Sequence, residues 1–317
     1  MSNKKACFIL PYFGHMPPNF DIWLNCCKNN NSFDWIIFTD DRTEYNYPSN
    51  VHVKYMTFSD MKKRLTSFFG YKVSLEKPYK LCDYRPMYGD IFKDELKQYD
   101  SWGWCDLDLF FGNLNKYYTE ERLKKYGKIN VLGHMSLLQN KEVIVSCYKN
   151  CDFRSIITDS RNWSFDEVRF EKNINNLIRQ AGYPILQTVE YADLSYEHFS
   201  FHIRKYEGGK RTKFIPYYPS VFKYKDGCAF VVSLINNQIV EREVAYVHFQ
   251  KRKIDIETSN NDEFLFVPNK IISYSDLTEN ELNGYSKDSL SYFLSKRKHR
   301  IKQSVIRKLP RFIFKDK

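Results

Sequence analysis

The chain has 317 residues, 43% of them apolar and 17% aromatic, enough to bury a real core and too apolar for a disordered protein. Its formal net charge is +11, but residues 296–317 hold six Lys and four Arg against one Asp, so +9 of that charge sits in a tail. A near-neutral body argues against nucleic-acid binding, which needs a basic face on the fold itself.

The eight cysteines are scattered, with no Cys-x-x-Cys pair and no zinc spacing with His. No apolar run approaches the ~20 residues of a membrane span. The apolar stretch behind the charged N-terminus is too short for a signal peptide. A reduced, cytoplasmic protein is expected.

In chain order, residues 6–10 read as a short apolar strand ended by Pro11, and 20–28 as a helix. Residues 35–39 and 51–55 are further strands, the first ending at Asp40-Asp41. Residues 59–69 look helical, with Ser59 as cap. Residues 78–99 form a long helical region with a break near Pro86, followed by a strand over 102–105. Strands alternating with helices predict an α/β fold with a mostly parallel central sheet flanked by helices. Later, 129–133 is strand-like and 166–180 helical. Residues 231–235 and 238–240, joined by Asn236-Asn237, predict a hairpin. Residues 245–249 form another strand, and after Ile254 the chain reads as polar and irregular. The tail places Ile301, Val305, Leu309 and Phe312 at helical spacing among basic residues, with Pro310 ending the helix. Such a segment suits docking on an anionic membrane surface.

Asp106 and Asp108 stand two apart after the apolar run Trp102-Gly-Trp-Cys. At the exit of a buried strand, two such carboxylates can grip a hard divalent cation, Mg²⁺ or Mn²⁺, which also binds substrate phosphates. His248 is the candidate third ligand, because it leaves a late strand beside Lys251 and Arg252, whose cationic heads suit phosphate oxygens. Pro11, Tyr12, Thr39, Asp40 and Asp41 are candidates for a nucleotide pocket, since ligands bind beyond the carboxyl ends of parallel strands. Lys80, Asp83 and Arg85 form a polar cluster ahead of the metal strand. Lys80 and Asp83 are spaced to pair on a helix, and Arg85 is placed to serve phosphate or sugar. For a catalytic base, Asp166 and Glu167 lead, with Asp193 and Glu197 as rivals.

Together these residues resemble bacterial capsule and lipopolysaccharide glycosyltransferases with a GT-A fold, some members of which are thought to transfer galactofuranose. The matching stretches are Lys80-Leu-Cys-Asp-Tyr-Arg85-Pro-Met-Tyr-Gly89-Asp-Ile-Phe92, Tyr99-Asp-Ser-Trp-Gly103-Trp-Cys-Asp106-Leu-Asp108 and Tyr246-Val-His248-Phe-Gln-Lys251-Arg252. The resemblance spans about residues 5–253. It implies a transferase domain over 1–253, with nucleotide binding in about 1–115 and acceptor binding in about 116–253, and an extension over 254–317. It further implies a UDP-sugar donor, Mn²⁺ or Mg²⁺ at Asp106 and Asp108, and a lipid-linked oligosaccharide acceptor. That places the protein at the inner face of the plasma membrane.

Two other classes compete. A haloacid-dehalogenase-type phosphatase also uses Asp-x-Asp after an apolar strand, but near the N-terminus and followed by Thr or Val; here Leu109 follows. A non-enzymatic carbohydrate-binding or membrane-associated protein would use the aromatics and the tail, and leaves the acids at strand ends unexplained.

Overall fold

The computed structural model describes residues 4–167, 173–207 and 210–308. Its strands are β1 Ala6–Pro11, β2 Phe33–Thr39, β3 Val51–Tyr55, β4 Ser101–Cys105, β5 Leu109–Phe111, β6 Lys128–Ile129, β7 Met135–Gln139, β8 Ile185–Leu186 and β9 Ala192–Leu194. They continue with β10 Ile203–Glu207, β11 Lys210–Phe214, β12 Ser220–Lys225, β13 Cys228–Ile235, β14 Gln238–Val244, β15 Tyr246–His248, β16 Asp255–Glu257, β17 Glu263–Val267 and β18 Lys270–Ser273.

Three mixed sheets, rather than one mostly parallel sheet, organise these strands, and the fold expectation is corrected accordingly. The seven-stranded sheet has the order β3-β2-β1-β4-β7-β6-β8. It is parallel from β3 to β4, then β7 runs antiparallel to both β4 and β6. A five-stranded sheet, β11-β10-β9-β15-β5, is antiparallel except where β9 meets β15. A six-stranded sheet, β14-β13-β12-β17-β18-β16, is antiparallel except between β16 and β18. The alternation that announces a parallel sheet holds only for the first third of the chain. Beyond it, short strands pair locally or through hairpins, which favours antiparallel ladders.

The helix expected over 20–28 is present at those bounds, and the one expected over 59–69 begins one residue earlier. Phe20–Lys28 buries Phe20, Ile22, Trp23, Leu24, Cys26 and Cys27. The next helix, Phe58–Phe69, is capped by Thr57 rather than Ser59, since Thr57 and Asp60 exchange side-chain and backbone hydrogen bonds in a capping box. Gly70, at φ 72°, closes it in the left-handed conformation that glycine adopts without strain. The long helix expected over 78–99 is instead a 3₁₀ helix, Pro78–Met87, followed by two single turns, Tyr88–Ile91 and Lys93–Leu96. Pro86 lacks the N–H that an α-helix would need there.

Further along, the strand expected over 129–133 stops at Ile129, because Asn130 takes φ 66° and turns the chain toward β7. The expected helix over 166–180 begins only at Ile174, where Asn173 accepts from the Asn175 and Asn176 N–H groups; Asp166 and Glu167 lie in a turn before it. The hairpin at Asn236-Asn237 is present, with both residues at positive φ (50° and 58°), as a two-residue turn matched to strand twist requires. After Ile254 the chain is ordered where irregularity was expected. β17 pairs with β12, so residues 255–273 complete the sheet that β12–β14 begin.

Apolar residues alternate across β1 and β2, and both faces of the seven-stranded sheet are covered. Phe8, Leu10, Trp35 and Ile37 join one core with helix Phe20–Lys28 and with Phe110, Phe222 and Phe264 of the other two sheets. Cys7, Ile9, Ile36 and Phe38 face a second core under the 58–69 helix and the 78–96 segment. Gly103 sits where β4 and β7 press together, and a Cβ there would lie 2.0 Å from the Ser136 carbonyl oxygen.

Helix Leu290–Lys308 ends the described chain, with Leu290, Leu294 and Ile301 well exposed at a spacing that places them on one helix face. Residues 309–317, including Leu309, Pro310 and Phe312 of the expected amphipathic tail, lie outside the described residues. Among the described residues no helix is long and apolar enough to cross a membrane.

Candidate functional site

Strand order places the site. After β1 the chain steps outward to β2 and β3, then returns to add β4 on the other side of β1. At such a switch point the segments leaving β1 and β4 part, and a crevice opens beyond the strands' carboxyl ends. A cavity of about 500 Å³ lies there, lined by Pro11, Tyr12, Tyr79, Arg85, Asp106, Asp108, Asp166, Glu167, His248 and Lys251, among others.

Asp106 and Asp108 flank Leu107, which is buried, so both carboxylates share one face of the turn between β4 and β5. Main-chain contacts hold that turn. Asn19 donates to the Leu107 carbonyl at 2.9 Å. The Asp106 N–H donates to the His134 carbonyl at 2.8 Å, and the Phe249 N–H to that of Asp108 at 3.0 Å.

His248 arrives by register. In β15 it lies opposite Leu109 of β5 on one side and Asp193 of β9 on the other. Its Nε2 stands 3.4 Å from Asp108 and 4.0 Å from Asp106, while Nδ1 meets Asp193 at 2.8 Å. Burial opposes its protonation, but Asp108 and Asp193 outweigh that and raise the imidazole to about 10. His134 stacks on the same ring, centroids 4.3 Å apart, and its Nε2 meets the Tyr246 hydroxyl at 2.9 Å. Burial and the neighbouring Asp108 charge push the Asp106 carboxyl up, against Arg85.

Arg85 bridges the two sides of the cavity. Its guanidinium pairs with Asp106 and, at 2.9 Å, with Asp166, and donates to the Gly133 carbonyl at 2.7 Å. Asp166 is almost fully buried, and burial, reinforced by Glu167 and opposed by Arg85, raises its carboxyl to about 7. Gly133 leaves room for it, since a Cβ there would stand 2.7 Å from the Asp166 carboxylate and displace it.

The sequence candidates therefore divide. Asp106, Asp108, His248, Arg85, Asp166, Glu167, Pro11, Tyr12 and Lys251 share the cavity. Thr39, Asp40 and Asp41 do not line it; they shape the loop that does. Asp40 accepts from the Gly14 N–H, and Asp41 from Met16 and Thr43. Lys80 and Asp83 do pair, but as a buried ion pair rather than at a surface (2.7 Å). Lys80 also donates to the Ile156 and Arg161 carbonyls, and Asp83 accepts from the Trp163 and Phe165 N–H groups. The pair thus pins the loop that delivers Asp166. Arg252 points away, into the carbonyls of Ser195, His198, Phe199 and Ser200.

One contributor escaped the sequence reading, and another takes a different place from the one expected. His134 enters only because β7 pairs with β4, and Asp193, a rival base by sequence, serves instead as the partner of His248. Neither has a local sequence signal.

The donor set fits a divalent cation. Two carboxylates and one imidazole offer ligand atoms within 4.8 Å of one another on one wall of the cavity, and a cation there would take the place of the proton that Asp108 and Asp193 favour on His248. No curated protein matches the chain. A family model matches residues 8–275, nearly all of the three sheets, and the chain belongs to that family, a family of unknown function (DUF6625).

Proposed function

We propose that this protein is a metal-dependent glycosyltransferase that moves a sugar from a UDP-linked donor to a lipid-linked oligosaccharide in cell-surface polysaccharide synthesis. The observation that carries this reading is the convergence of Asp106, Asp108 and His248 Nε2 on one wall of a cavity with Asp166 in its lining. Mn²⁺ or Mg²⁺ held by those three groups would neutralise the leaving diphosphate. Lys251, at the rim with its ammonium 6.0 Å over the Tyr79 ring, adds a cation for phosphate oxygens. Tyr12 and Tyr79 offer aromatic walls to a base or sugar ring.

Asp166 is the base in this scheme. A carboxylate raised to about 7 is matched to taking a proton from an acceptor hydroxyl near neutral pH, and Arg85 holds it in place. The group works ionised, so kcat/KM is expected to rise as pH climbs through about 7 and to level off above. Asp166→Asn is expected to give a low, flat profile; a wild-type rate in that variant would remove Asp166 from the role.

Titration calorimetry with UDP, with and without Mn²⁺, tests the donor site. Metal-dependent binding supports it. No UDP binding under either condition, together with hydrolysis of p-nitrophenyl phosphate, would favour a phosphatase instead.

A lipid-linked acceptor calls for work at the cytoplasmic face of the plasma membrane. The exposed Leu290, Leu294 and Ile301 beside Lys296, Arg297 and Lys298 supply apolar and basic groups for such a surface. Deleting residues 296–317 is expected to lower co-sedimentation with anionic liposomes while sparing transfer to a soluble acceptor. Unchanged liposome binding would refute the membrane role.

A further inference from the structure

Away from the cavity, His198, His202 and Asp288 converge where the chain enters its last helix. Asp288 Oδ2 lies 3.1 Å from His198 Nδ1 and 2.9 Å from His202 Nε2. All three ligand atoms fall within 4.8 Å of one another. A tetrahedron with zinc–ligand bonds of ~2.0–2.1 Å has edges of about 3.3 Å, so the two imidazoles, stacked here with centroids 3.8 Å apart, would swing apart by about 1 Å to present both nitrogens to one ion.

The surroundings are organised around this trio. His198 lies in the loop between β9 and β10, and Arg252 gathers that loop by donating to the carbonyls of Ser195, His198, Phe199 and Ser200. The Ser200 N–H donates to Asp288 Oδ1 at 3.1 Å, which orients the carboxylate. His202 stacks on Tyr217, centroids 4.4 Å apart, and His198 packs against Phe293 of the last helix at 5.1 Å. His198 and His202 are part-buried and Asp288 is exposed, so solvent reaches the trio and a fourth ligand can be water.

We propose that His198, His202 and Asp288 form a zinc site that fastens the C-terminal helix Leu290–Lys308 to the β9–β10 loop. Two imidazoles and one carboxylate are a zinc-type donor set. Mg²⁺ and Ca²⁺ prefer more oxygen ligands than one carboxylate and water supply. The site is independent of the transferase reading, since it shares no residue with the cavity.

The test is zinc stoichiometry on the full chain. Wild type is expected to bind one molar equivalent of Zn²⁺ more than His202→Asn or Asp288→Asn, with Mn²⁺ binding at Asp106 and Asp108 unaffected. Circular dichroism checks that the variants fold. Co²⁺ provides a second readout on the wild-type chain: tetrahedral visible absorption that Zn²⁺ displaces, and at least about tenfold weaker Co²⁺ affinity in His198→Asn. Equal zinc stoichiometry in wild type and folded variants would overturn the proposal and leave the trio as a hydrogen-bonded clamp. Octahedral Co²⁺ spectra throughout would overturn it equally.

Discussion

Replacing Asp108 with alanine is expected to abolish Mn²⁺-dependent UDP binding and to lower transfer at least about a hundredfold, the scale of losing one preorganised electrostatic group in an enclosed site. The fold should survive. The Asp108 side chain is about one-third exposed, and the contacts that hold its turn come from the main chain and from Asn19. His248 keeps Asp193 as a partner, so no buried imidazole is stranded. Relief of the repulsion between Asp106 and Asp108 offsets the lost pairing with His248, so the variant is expected to stay folded, which circular dichroism checks. Calorimetry with UDP and Mn²⁺ on the folded variant decides the matter. Binding and turnover at wild-type levels would eliminate the carboxylate as a metal ligand.

A second large effect is expected from Lys80, which does not itself line the cavity. Its ammonium and the Asp83 carboxylate are both buried, and together they hold four main-chain groups of the 156–165 segment. Lys80→Met removes the cation and leaves a buried carboxylate with only its two N–H donors. Breaking such a pair from one side costs about 3–5 kcal/mol, because the remaining charge keeps its desolvation penalty. Urea unfolding should show that loss directly. Because the same loop presents Asp166, kcat should fall in the variant even where it is fully folded. A loss below about 1 kcal/mol would mean that the loop is held by its apolar contacts instead. The double replacement Lys80→Met, Asp83→Leu is expected to recover part of the stability, since no lone charge remains.

Particular residues show how far the sequence could be read. The first three strands, the Phe20–Lys28 helix and the Asn236-Asn237 turn were legible because local pattern and turn chemistry determine them. Thr57 was missed as the helix cap in favour of Ser59, two residues on, although Asp60 three residues after Thr57 completes a capping-box pattern. The mixed sheets were not legible. Whether β7 adds to β4 parallel or antiparallel depends on the long connection through residues 106–134, and no periodicity encodes that choice. Residues 255–273 read as irregular because their strands are short and partly polar; pairing to β12 makes them sheet.

For the candidate site, the sequence by itself determined the chemistry available: Asp106 and Asp108 two apart at a strand exit, a late His248, and basic residues crowded into the tail. Spacing of two along the chain is a local property, so the two carboxylates stay close whatever the rest of the chain does. Tertiary structure alone decided which groups meet. It brought His248 beside Asp108 through the β5–β15 pairing, made Asp193 its partner through β9, and set Arg85 between Asp106 and Asp166. It also withdrew Arg252 and the Lys80–Asp83 pair from the cavity into supporting roles. The contacts that assemble the cavity wall join residues 21 to 141 positions apart along the chain, from Arg85 with Asp106 to Asp108 with Phe249 just after β15 — distances that strand register and sheet order span, and that no local pattern records.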